Sequence, residues 1–162
     1  MPELAPIVPT ARAIYCDDVR QEAGNKLSLM GVYQTALIVP TLPFVLPKLC
    51  IFVEALTLAS QPFHKLLVQV LSNRDVIISG EIDTDTANIA KEAWHSQIQE
   101  DERVMRLSLV MQVAPFSVTE DRVIRTRITT ESEVLRAGAL VIRHQPTQVD
   151  EAAATLPRPE MA

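Results

Sequence analysis

Carboxylates are the densest candidate chemistry in this sequence. Asp17 and Asp18 are adjacent, with Glu22 shortly after; Asp83 and Asp85 follow an apolar run; Glu100, Asp101 and Glu102 are consecutive. Hard oxygen ligands from separate turns are what Ca²⁺ requires, and paired carboxylates are what acid–base catalysis uses. A Ca²⁺-dependent or enzymatic module would therefore draw on Asp17, Asp18, Asp83 and Asp85. Acidic residues are also common in turns for structural reasons, because they accept hydrogen bonds from loop backbone. The structural role is the expectation: no catalytic residue and no cofactor, with Asp83 and Asp85 the remaining metal candidates. Asp17, Asp18, Arg20 and Glu22 together form the candidate binding surface.

Other side chains offer less. Cys16 and Cys50 each lie in an apolar segment and read as small buried residues. A nucleophilic Cys16 is disfavoured, since Asp17 and Asp18 beside it would raise its pKa. His64, His95 and His144 have no metal-ligand spacing, and the four glycines form no phosphate loop. Arg122, Arg125 and Arg127 make a basic stripe, joined by Arg103 and Arg106, that would face solvent, pair with Glu131 or Glu133, or receive an acidic partner.

The elements that position these residues follow a period of two. Residues 12–18 read as a strand with Ile14 and Cys16 on one face. After a turn at Gly24-Asn25, residues 26–35 align Leu27, Leu29, Gly31 and Tyr33. Pro40, Pro43 and Pro47 impose an extended crossing. Residues 48–58 are apolar on both faces, the mark of a strand covered on two sides. Residues 64–71 and 75–82 flank Ser72-Asn73-Arg74 as a hairpin. Residues 103–114, 122–130 and 134–144 complete the set, the last bent at Gly138. Residues 84–98 depart from the pattern: Ala87, Ala90, Trp94 and Ile98 have helical spacing, which predicts one short helix crossing between sheets. The fold class expected is all-β, a β-sandwich of about eight antiparallel strands with that helix.

Nine of the eleven prolines cluster at the two ends and in the crossing, with Pro62 and Pro115 elsewhere in the body. Residues 1–10 accordingly read as an extended arm in which Leu4, Ile7 and Val8 would contact the domain or a neighbouring subunit. The sandwich is expected over 11–145 and a polar tail over 146–162. The chain has 162 residues, 48% hydrophobic and 22% charged, which suits one globular domain and excludes wholesale disorder. With 15 basic and 20 acidic side chains the formal charge is −5, so a general nucleic-acid binder is not expected. No apolar run is long enough to span a bilayer, and MPELAPIVPT lacks the pattern of a signal peptide. A cytoplasmic location is expected, or a virion for a phage structural component.

The stretch Ile14–Pro47 carries a pattern: Tyr15, Asp17, Asp18, Arg20, Gln21, Glu22, Gly24, Lys26, Ser28 and Gly31, then Pro40, Pro43, Pro47, Lys48 and Leu49. It resembles the opening of DUF6941, a family of unknown function in bacteria, phages and prophages. The turn Ala23-Gly24-Asn25 departs from that pattern. The resemblance implies a β-sandwich and a genome context, and nothing catalytic. The expected function is therefore non-enzymatic: binding of another protein or self-association, with a phage assembly component as a special case.

Overall fold

A strand flanked by neighbours on both edges and packed on both faces must be largely apolar, and residues 49–58 meet that demand with Glu54 and Thr57 as the polar exceptions. The computed structural model describes residues 8–24, 26–84 and 104–146. Twelve strands occupy them: β1 (Thr10–Cys16), β2 (Asp18–Glu22), β3 (Lys26–Met30), β4 (Ala36–Val39), β5 (Phe44–Leu46), β6 (Leu49–Leu58), β7 (Lys65–Ser72), β8 (Asp75–Asp83), β9 (Val104–Val113), β10 (Phe116–Val118), β11 (Arg122–Thr129) and β12 (Val134–His144). Among the described residues there is no helix. The helix expected over 84–98 lies, apart from Thr84, outside the described residues, as do the tail beyond Pro146 and the arm residues Leu4 and Ile7. Thr84 is fixed by its hydroxyl, which donates to the Phe63 carbonyl at 2.6 Å.

The strands form a three-stranded sheet, β1-β6-β9, and a five-stranded sheet, β4-β12-β11-β7-β8. Two small pairs, β2-β3 and β10-β5, complete the fold. All pairings are antiparallel except β4 with β12, so the expectation of purely antiparallel strands needs correcting. Of the four strands beyond the expected eight, β4, β5 and β10 are short and lie near prolines, where no alternation is long enough to read, and β2 follows directly on the strand expected over 12–18. The Leu42–Pro43 and Ala114–Pro115 peptide bonds are cis, each just ahead of one strand of the β5–β10 pair.

The core is aliphatic and draws on both larger sheets: Ile51, Val53 and Met111 from one, and Val68, Val70, Ile124, Ile128, Leu140 and Ile142 from the other. β1 turns Tyr15 into this core, with Ala11 and Ala13 packed against it, rather than the Ile14–Cys16 face. The Tyr15 hydroxyl then meets Thr126 Oγ1 of β11 at 2.7 Å, a buried polar bridge between the sheets. Its burial pushes the tyrosine pKa up, despite the Thr126 bond acting the other way. β6 is covered on both sides, with Ile51 and Val53 facing the core and Cys50 and Phe52 buried on its other face. Its Glu54 is also buried and stays paired, to Arg12 of β1 and, at 3.6 Å, to Arg106 of β9.

Candidate functional site

β2 and β3 pair from Asp18↔Met30 to Glu22↔Lys26, and neither pairs with any other described strand. Strand alternation sorts the hairpin into two faces. Asp18, Arg20, Glu22, Lys26 and Ser28 fall on one, and Val19, Gln21, Leu27 and Leu29 on the other. The charged face is balanced, with Glu22 directly opposite Lys26. On the apolar face Val19 and Leu29 are half-buried, while Leu27 is 44% exposed; Met30, opposite Asp18 on the other face, and Val32 just past the hairpin are similarly open. Leu27 and Leu29 thus share a face as the sequence suggested, but that face is not core.

The hairpin grows from a fixed root. Backbone bonds run from the Asp17 N–H to the Met30 carbonyl at 3.0 Å and from the Tyr33 N–H to the Tyr15 carbonyl at 2.9 Å. The Tyr33 hydroxyl donates to Asp17 Oδ1. Gly31 ends the hairpin at φ +65°, and a Cβ there would overlap the Asp17 carboxylate. Gly31 therefore lies hard against Asp17, and the position needs glycine twice over, for backbone angle and for space. Burial, followed by the Asp17 carboxylate, pushes the Tyr33 pKa up, so the phenol stays a donor.

Asp18 takes the other side of the root. Its carboxylate accepts from Lys48 Nζ at 2.5 Å and from Arg20 Nε at 3.3 Å. The Lys48 bond, then the Arg20 bond, hold the Asp18 carboxyl below the usual range, and Asp18 in turn raises Lys48. Of the four residues proposed as a surface, Asp18, Arg20 and Glu22 share a face; Asp17 is engaged with Tyr33. Sequence reasoning assigned no role to Lys48 or Tyr33. Lys48 had a signal, a lysine between Pro47 and the unbroken apolar run Leu49–Val53, where its charge must be answered locally.

Cys16 and Cys50 are free, buried and directly opposite each other in the β1–β6 register. Burial first, then Cys50 and Asp17, push the Cys16 thiol up to about 11, so it is a poor nucleophile at neutral pH. Asp83 pairs in register with Lys65 at the end of β8, away in sequence and sheet from the hairpin root. Asp85 lies outside the described residues. Among the described residues no three His, Cys, Asp or Glu side chains are grouped to hold a metal ion. Glu131 is taken by backbone, accepting the His64 N–H at 2.7 Å and the Lys65 N–H, so it does not meet the arginine stripe. Arg122 leaves that stripe as well, donating to the Ser117 carbonyl at 2.7 Å and lying over the Phe116 ring. Val8 is exposed.

Fold and site define an all-β protein that carries a separately paired, root-clamped hairpin. The chain belongs to DUF6941, a family of unknown function, whose model matches residues 11–143. That span takes in nearly all of β1 through β12, the hairpin and its root included. No curated protein and no solved structure matches the chain. No helix of the described residues is long and apolar enough to cross a membrane.

Proposed function

We propose that this chain is a non-enzymatic β-sandwich protein that works by protein binding, with a second copy of itself as the partner. The observation that carries this reading is the β2–β3 hairpin, two strands that pair with no other strand among the described residues and carry an exposed apolar end at Leu27. An isolated two-stranded hairpin is marginal in water and is stabilised by a third strand or a packed face. A second copy supplies both through the same element, as the two-fold symmetry of most homo-oligomers requires. The clamped root supports this reading, because a contact element fixed in direction loses little entropy on docking. Arg20 and Glu22 lie on the hairpin's opposite, charged face, where pairing along the edge would bring them beside charged residues of the second copy and set the register of the contact. A phage or prophage assembly component is the special case in which further contacts extend the pairing.

Native mass spectrometry of the full chain tests the proposal. An oligomer is expected at about 100 μM, a concentration at which even a weak contact of micromolar Kd is filled. Leu27→Asp should convert it to a monomer that still unfolds cooperatively, since Leu27 is exposed in the single chain, with its thermal midpoint lowered only by the loss of the partner's stabilisation. A wild-type monomer, or a Leu27→Asp oligomer of unaltered mass, would remove the hairpin as the self-contact.

A further inference from the structure

A concavity of about 680 Å³ opens on the outer side of the five-stranded sheet, lined by Leu71, Arg125, Arg127, Val134, Arg136 and Ala139 among others. Its volume lies within the roughly 300–1,000 Å³ typical of small-ligand sites. Two register shifts adjoin it: one between Thr126 and Arg127 against β12, the other between Val70 and Leu71 against β8. Such irregularities re-aim side chains and are enriched beside functional sites.

Charge is the unusual feature. Arg127 and Arg136 are direct cross-strand partners, and Arg125 lies two residues along the same face of β11. Like charges placed directly opposite destabilise a sheet. Among the described residues none of the three arginines has an ion pair and no carboxylate lines the concavity. The arrangement stands out further in a chain of net charge −5. Arg127 is held in place rather than free: its Nε and Nη2 both donate to Gln69 Oε1, at 3.0 and 2.9 Å. Behind the concavity, Thr126 and Gly138 are tied to the core through the Tyr15 hydroxyl.

We infer that this concavity is a binding site for a small organic oxyanion, whose phosphate or carboxylate groups are held by Arg125, Arg127 and Arg136. Guanidinium forks match both oxyanions by paired N–H donors. Leu71, Val134 and Ala139 give the floor an apolar part, which takes the body of the ligand. The site is distinct from the hairpin contact and does not depend on it.

Calorimetric titration of the full chain in low-salt buffer, with pyrophosphate and with citrate as probes, tests the inference. Binding of either probe is expected, and the stronger of the two identifies the oxyanion. Arg127→Gln and Arg136→Gln should each weaken it at least tenfold. Because each change also relieves the facing like charges, the thermal midpoint of the ligand-free variants should stay level or rise. A structural role for the arginines would lower it instead. Failure of both probes to bind at millimolar concentration, or variants that bind as wild type does, would overturn the site.

Discussion

Asp18 and Lys48 show how much a single residue decides at the hairpin root. A carboxyl whose folded pKa is depressed adds stability above its unfolded pKa, and that stability is lost as pH falls through the folded value. Lys48, raised in the fold, has the opposite sign: its contribution is complete below the unfolded lysine pKa and is lost as pH rises through the folded one. The clamp therefore holds across the neutral range and opens at both extremes. Replacing Lys48→Met should bring the Asp18 carboxyl back up toward the ordinary aspartate range, measured by NMR titration of its side-chain carbon. An Asp18 titration unmoved by the change would mean that Arg20 alone sets it. The Asp17–Asp18 pair was legible in the sequence as a local feature. Its split between Tyr33 and Lys48 was not, because both partners are brought in by the fold and neither is a sequence neighbour of the pair. Cys16 and Cys50 teach the same lesson: 34 positions apart in the chain, they are opposite each other only once β1 and β6 pair.

Elements were legible in proportion to the length of their alternation. β6, β7, β8, β9, β11 and β12 are close to their expected ranges, and the irregularity expected at Gly138 coincides with a register shift. Ile124, Thr126 and Ile128 face inward, and Arg125 and Arg127 outward, as period two requires. Residues 12–18 and 26–35 misled for a physical reason: each continues its alternation across a break, at Asp17, where the chain leaves the sheet for the hairpin, and at Gly31, where the hairpin ends. β6 is the element on which the fold most depends. Val53 is 2% exposed and lies between β1 and β9, so Val53→Asp would bury an unpaired carboxylate. The cost is on the order of 5 kcal/mol, against a typical domain stability of roughly 5–15 kcal/mol. Circular dichroism should show loss of the cooperative thermal transition, and a folded variant with a normal midpoint would refute the two-sided burial of β6.

Across the whole molecule, the two larger sheets meet at both of their margins without sharing a ladder. On one side β1 lies beside β12, where a Cβ built on Gly138 would stand 3.5 Å from the Ala13 carbonyl oxygen. On the other, β8 lies over β9, where a Cβ on Gly80 would stand 3.1 Å from Leu109 Cδ2. Absent side chains thus let strands of separate sheets approach, and the core is enclosed on both flanks as well as between the faces. Nothing in the linear pattern announces this, since a glycine within a strand reads equally as a bulge. Gly138 serves as both; Gly80 serves as a seam only. Its φ is not in the left-handed region, so backbone strain plays no part, and a larger residue there acts purely as a wedge. Gly80→Val should therefore lower stability by about 1–3 kcal/mol, the usual cost of overpacking. Urea unfolding should remain a single transition, because the wedge acts on the core that both sheets share. Pairing Gly80→Val with Leu109→Ala removes the obstructing atoms, and the double variant should recover part of the loss beyond simple additivity. Strict additivity of the two changes would mean that β8 and β9 do not press on each other, and that the core is closed on the β1–β12 side alone.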